Sequence, residues 1–407
     1  MKKPFLTLGC ALAAAWSLAA PSPRWVPANT DLVVVGESSG KADSAVEAAW
    51  RKAFKAEGID LPEGEGFAKA QLEEVSPRIP AILKAFGASD DLKTMPAWSA
   101  VYSVSLPASH EQMKGDDFPT GLALRLFIEN AKINLPALDK AVADLCAEKR
   151  KDASVTCTFG RSGEWRTFTF ASKAKGMVPA KMFLGYHPVP GGLAVIACPT
   201  QAEADAWVAG KAPALPANSP LKAAFSPVEG AKNDWMRVRV GDLAGLLNRL
   251  TTPEARKEMA VKMPLAQKIR MFDLAFAQKG VNYVLALSAT ATDETSAMQL
   301  RDFLLGWKGL LAQMILPMAT QKPNSALAAL TNAIVCEAKG KAVSLRLELT
   351  PEMGAKAFME CQKLAVQQAA QTSHTAIPTQ DTVDDDEDEA PMSEEEARKI
   401  LKQLEAK

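Results

Sequence analysis

Between residues 281 and 370 the hydrophobic period changes repeatedly, and this stretch limits the fold more than any other part of the chain. Tyr283, Leu285, Leu287 and Ala289 recur at every second position, which predicts a strand over 281–290 with one apolar face. Thr292 is placed to cap the next helix, with Asp293 and Glu294 in its first turn. Ala297, Leu300, Leu304, Trp307, Leu311 and Met314 then recur at three- and four-residue steps and read as a buried helical stripe. Segments 334–338 and 342–349 flank Lys339, Gly340 and Lys341 and predict a hairpin. Val343, Leu345, Leu347 and Leu349 alternate with Ser344, Arg346 and Glu348, so one face is apolar and the other wet. Thr350 and Pro351 open a last helix, cap first and proline at the first helical position. An apolar sheet face needs a cover, and the two helices are the natural one.

The chain starts Met1, Lys2, Lys3 and runs apolar from Phe5 to Ala20. A basic start, an apolar middle and small residues at the end make a secretory signal peptide, cleaved after Ala19 or Ala20. The apolar run is shorter than the roughly 20 residues of a membrane span. Gly9-Cys10 leaves a lipoprotein reading open. No later segment is long and apolar enough to span a membrane, so no integral span is expected. Beyond Cys10 the chain holds Cys146, Cys157, Cys198, Cys336 and Cys361. Export permits disulfides, and the odd number leaves one thiol unpaired within the chain. Cys336 and Cys361, on a strand and the neighbouring helix, are a candidate pair. No CxxC is present.

At 407 residues the chain is long enough for two domains with their own cores. Basic and acidic residues balance at 47 each. With no basic patch and no interleaved aromatics, nucleic acid is not an expected partner. In order, the sequence divides into a signal peptide (1–20), an N-terminal strand and helical arm (21–97), a first α+β unit (98–208), a proline-rich linker (209–234), a second α+β unit (235–370), an acidic linker (371–392) and a short amphipathic helix (393–407). Within the first unit, strands are expected over 98–106 and 121–129. A helix capped by Asn134 follows, then hairpins around Gly160-Arg161-Ser162-Gly163 and around 188–192. Thr200 and Glu203 form a capping box opening the next helix.

The two units echo one another. Leu122, Leu124, Leu126 and Ile128 alternate with Arg125, as Val343, Leu345, Leu347 and Leu349 alternate with Arg346. A proline then opens a helix in each, Pro136 or Pro351, and each helix reaches a cysteine, Cys146 or Cys361. Chance alternation explains this, and so does a diverged duplication. Arg125 and Arg346 are expected on the wet faces of their strands. If the units are true repeats, they line one surface and pair with acidic groups of the other half.

The chemistry of known catalytic motifs is largely missing. His110, His187 and His374 are the three histidines, and neither a G-x-S-x-G elbow nor HExxH is present. There is no Walker loop and no G-x-G-x-x-G. Gly36-Glu37-Ser38-Ser39-Gly40 follows a short strand and precedes a helix, so its amides are placed to bind an anion, although a plain strand–turn–helix junction looks the same. Asp116 and Asp117 form the best carboxylate cluster for a glycosidase-like reaction, which needs two carboxylates roughly 5 to 10 Å apart. Aromatic residues, at 6%, give little sign of a sugar platform. No residue is assigned a catalytic, cofactor-binding or metal-ligating role, and no cofactor is expected.

The fold class that emerges is α+β: two units of antiparallel sheet covered by helices, with internal duplication as one reading of their likeness. The functional expectation is an exported, non-catalytic protein binding or scaffolding at the bacterial envelope, periplasmic or secreted. The alternatives are a carrier of a small apolar ligand between sheet and helices, and a carboxylate-based exported hydrolase. In the tail, seven acidic groups between Asp381 and Glu389 predict disorder. After Pro391, Ser393 and three glutamates cap a short helix bearing Ile400, Leu401 and Leu404. That stripe suggests docking on the body or on another envelope protein.

Overall fold

The computed structural model describes residues 21–40, 44–59, 78–89, 94–107, 109, 121–129, 132–151, 155–172, 183–189, 191–211, 215–231, 234–319 and 325–375. The signal segment, His110, the Asp116–Asp117 pair and the tail beyond 375 lie outside them. In chain order the elements are β1 (Leu32–Ser38), α1 (Ser44–Ala56), α2 (Ile79–Ala85), β2 (Ala97–Ser105), β3 (Gly121–Glu129), α3 (Leu135–Lys149), β4 (Val155–Ser162), β5 (Trp165–Ser172), β6 (Phe183–Val189), β7 (Gly192–Cys198) and α4 (Gln201–Val208). They continue with β8 (Trp235–Val240), α5 (Leu243–Leu250), α6 (Pro253–Lys262), β9 (Ile269–Lys279), β10 (Asn282–Ala291), α7 (Glu294–Ala319), α8 (Ala326–Ala333), β11 (Val335–Lys339), β12 (Ala342–Leu349) and α9 (Pro351–Thr375).

Local chemistry sets most of these boundaries. Asn134 Oδ1 accepts from the Ala137 amide at 3.1 Å, Thr200 Oγ1 from Glu203 at 3.3 Å and Thr350 Oγ1 from Met353 at 3.3 Å. Each satisfies a donor that the first helical turn leaves free. The start of α7 differs from the sequence expectation by one residue. Asp293, not Thr292, is the cap: its Oδ1 accepts from the Ser296 amide at 2.7 Å, and Thr292 spends its hydroxyl on Asp293 Oδ2 at 2.9 Å. A carboxylate is the stronger acceptor, and a second donor pins it in place. The hairpin between β11 and β12 turns at Gly340, φ +56°, as its tripeptide predicts. The β4–β5 turn falls at Gly163 instead of spanning Gly160 to Gly163, because the ladder continues to the Ser162–Trp165 pair.

All twelve described strands belong to one antiparallel sheet, in the order β11-β12-β10-β9-β8-β1-β2-β3-β7-β6-β5-β4. The sheet and its helices make a mixed α+β fold. Two features differ from the sequence expectation. Strand β1, placed in an arm outside the sheet, is its centre and pairs along its length with β2 on one side and β8 on the other. The stretch read as a linker is core: Leu215, Leu221, Ala224 and Val228 are buried with Val33, Val35 and Val101. Proline-rich composition marked an irregular path, while its leucines and alanines supply the apolar contacts that hold it down.

The pleat divides each strand between two faces. One register row crosses six strands as Arg125, Val101, Val35, Arg237, Ala275 and Ala286, and ends at Arg346 on β12. This face is sealed across the centre. Val33, Val35, Val101 and Ala277 are fully buried beneath Trp25 and the 215–231 segment. Among the described residues, the cores on the opposite face lie on its flanks. On one flank α2 and α3 pack over Trp98, Ile128 and Leu193, and on the other α7 lies on Ala289 and Val343. The helical cover expected for the apolar face is therefore partial. Trp307, assigned by period to the buried stripe of α7, is 51% exposed, although Ala297 and Leu300 are buried as expected.

Candidate functional site

Between its helical flanks the sheet presents an open apolar floor. One row reads Leu124, Tyr102, Val34, Val238, Leu274 and Leu287 across β3, β2, β1, β8, β9 and β10. Every residue in it is only half-buried, and Phe276 and Leu285 beside it are each 39% exposed. From β3 to β10 the row spans five strand spacings, about 24 Å at the usual strand spacing. A layer of helices about 10 Å thick stands on either side. Burial pushes the Tyr102 and Tyr283 hydroxyls up from their ordinary pKa, with Asp234 adding to the effect on Tyr283, so both stay neutral.

One end of the floor is aromatic. Phe276 stacks on Tyr283 with centroids 5.3 Å apart, and Tyr283 meets Trp50 at 5.2 Å. Trp50 meets Phe54 at 6.2 Å, and Phe54 meets Phe358 of α9 edge-on at 5.6 Å. The Trp50 indole donates to the Val281 carbonyl at 2.9 Å, which ties α1 to the sheet. Gly354 makes room for that indole: a Cβ there would lie 2.5 Å from the ring.

The sealed face carries the charges. Asp273 lies between Arg239, 2.5 Å from Nη1, and Arg237, 3.3 Å from Nε. Arg237 Nη1 also donates to the carbonyls of Ala223 and Ser226 at 2.8 and 2.9 Å, clamping the segment that seals the sheet. Arg125 is different. Expected on a wet face, it is 2% exposed. Its Nη1 donates to the Trp25 carbonyl, and its Nε has no hydrogen-bond partner among the described residues. No carboxylate among them lies in ion-pair contact with it. Burial lowers its pKa, and Cys198 and Glu203 act in the opposite direction. Arg125 lines a cavity of about 440 Å³ with Ser105, Gly121, Ala123, Pro199 and Glu203. Small side chains around the arginine leave this space: Gly121 approaches Ser105 so closely that a Cβ would fall 2.3 Å from the serine Cβ. In the sequence only Gly121 and Ala123, at alternate positions before Arg125, mark this side of the strand as small; Ser105 reaches the cavity from β2 through the strand pairing.

Arg346 is partly exposed and lies 3.6 Å from Glu348 on its own strand. It shares its row with Arg125, six strand spacings away, about 29 Å. The two arginines therefore face the same side without meeting, and neither pairs with an acid of the other half. The Gly36–Gly40 loop is tied to the start of β8: the Ser39 amide donates to Asp234 at 3.2 Å, and Glu37 accepts from the Trp235 indole at 2.8 Å. His187 packs on Trp165 at 5.3 Å, with Nδ1 3.3 Å from the Glu164 carbonyl. Cys336 and Cys361 are free thiols. The cysteines brought together are Cys146 and Cys157, whose side chains hydrogen-bond. Burial and that contact push Cys146 up to about 12. Among the described residues no group of three or more His, Cys, Asp or Glu is gathered to hold a metal ion, and no helix is long and apolar enough to cross a membrane.

The fold and floor define an α+β protein whose described strands form one sheet, with one face closed across its centre and the other partly bare. No protein-family model matches the sequence, and no curated protein matches it. Three crystal forms of TP0453 are structurally similar at 11% identity, with TM-scores of 0.32, 0.34 and 0.34. The alignments cover 84–86% of this chain and 98–99% of that one. A TM-score in this range does not establish a shared fold.

Proposed function

We propose that the protein is an exported, non-catalytic binding protein of the bacterial cell envelope, and that its open floor takes a small apolar ligand between sheet and helices. Support for export is the basic-then-apolar pattern of residues 1–20. The ligand reading rests on one observation: the Leu124–Leu287 row, apolar but for the Tyr102 hydroxyl, is only partly buried on interior strands, where a finished core would bury it. A flat partner would meet the flanking helices first, whereas a narrow ligand reaches the recessed floor. The test is fluorescence of 1-anilinonaphthalene-8-sulfonate with the mature chain and with Leu285→Glu. Saturable, blue-shifted emission that the substitution abolishes is the expected result, and an unaffected signal overturns the reading. The same titration on a chain ending at Gln371 examines the 393–407 helix. Tighter probe binding there would make the tail a competitor for the floor, and unchanged binding would leave its stripe to an envelope partner.

Duplication also has support, through a different correspondence. Outward from the β8–β1 pair, β8-β9-β10-β12-β11 and β1-β2-β3-β7-β6 follow the same order, with β4–β5 as an addition. In both halves a helix after the third strand crosses the same face, α3 or α7. On this order the strand of Arg125 corresponds to β10, not to the strand of Arg346.

A further inference from the structure

The cavity around Arg125 lies on the sealed face, across the sheet from the apolar floor, and it has the features of a separate site. A buried guanidinium without a paired carboxylate is costly, and the same face shows how the chain compensates one when it needs only structure. Arg237 and Arg239 share Asp273, and Arg237 holds two carbonyls as well. All three arginines leave Nε without a hydrogen-bond partner among the described residues, but Arg125 has a single carbonyl bond and no carboxylate in ion-pair contact, yet it is buried more deeply than either. Beside it the cavity is empty of protein, with a volume within the roughly 300–1,000 Å³ range of small-molecule sites.

We propose that this cavity binds a small monocarboxylic acid, its carboxylate received by the Arg125 guanidinium and its apolar body lying against Ala123, Pro199 and Ala206. The planar fork of arginine matches a carboxylate with two parallel hydrogen bonds. The walls are mostly apolar, with Ser105 and Asn29 as polar contributors, which suits a ligand charged at one end only. Glu203 decides between anions. It lines the same cavity and interacts electrostatically with Arg125, so it offsets the guanidinium when the site is empty and repels a second negative charge. Phosphate and dicarboxylates are thereby disfavoured against a single carboxylate.

The experiment is calorimetric titration of the mature chain with butanoate and phenylacetate, alongside their amides and inorganic phosphate. The acids bind and the amides and phosphate do not. Arg125→Lys keeps the charge and loses the fork, and it weakens acid binding at least about tenfold. Glu203→Gln removes the repulsion and strengthens binding. That second variant carries the test if the first fails to fold. Absence of heat with both acids, equal binding of acid and amide, preference for phosphate, or weaker binding in Glu203→Gln each overturns the proposal. Leu285→Glu, on the other face, leaves acid binding unchanged, so this site and the apolar floor fail or stand separately.

Discussion

The two faces of the sheet use the same strands in opposite ways. On β1, Val33 and Val35 are fully buried while Val34 between them is half-exposed. On β9, Asp273 and Ala275 are buried while Phe276 is 39% exposed. The usual arrangement puts apolar groups inside and charges in water. Here one face buries Arg125 and Asp273 and largely covers Arg237 and Arg239, while the other leaves an apolar row partly bare. Charges under cover have to be compensated, and apolar groups in the open have to be tolerated for a reason. The first condition is met by Asp273 and fails at Arg125. The second has no structural answer within the described residues, which is why the bare row reads as a surface for something else.

The comparison is most strongly tested at Asp273. Asp273→Ala leaves Arg237 and Arg239 without their carboxylate under the seal. It should cost about 3–5 kcal/mol, read from the midpoint of urea unfolding. A loss within experimental error would mean that water already reaches this pair and the face is not closed. A paired measurement comes next. Ile196→Ala, at 1% exposure on the sealed face, should cost about 2–5 kcal/mol. Leu285→Ala on the open floor should cost under about 1 kcal/mol, since much of its surface is already in water. Equal costs would erase the distinction between the faces.

The smallest effect is electrostatic and lies on the flank. Two bonds from Ser296 and one from Thr292 hold the Asp293 carboxyl at about 2, below the ordinary range for aspartate. A folded-state pKa below the unfolded one gives stabilisation that is complete above about pH 4. It disappears as pH falls through about 2. Amide exchange at the first turn of α7 should accelerate over that window in the natural chain, and Asp293→Asn should flatten the response. A pH-independent exchange rate in the natural chain would show that the flank does not depend on this cap.

Much of the chain could be read one element at a time. The strand 121–129 coincides with β3, and Asn134, Thr200 and Thr350 cap where their sequence context predicts. These are local matters of period and of donors within three residues. Strand β1 was legible as a strand but not as the centre, because Val33, Val34 and Val35 have the same pattern at an edge or in the middle. Arg125 was legible as alternating with leucines, which identified its face and misjudged whether water reaches it.

The sequence by itself determined most elements, most of their caps and turns, the alternation of each strand, and the acidic composition of the tail, since these depend on neighbours along the chain. Tertiary structure alone decided which side of the sheet would be covered. That depended on where Trp25 and the 215–231 segment came to lie, which includes packing on strands far from them in the chain, such as the segment on β1. By settling there they buried the side that carries Val33, Val35 and Val101 together with the arginines and, with α2, α3 and α7 on the flanks, left the other apolar side partly open among the described residues.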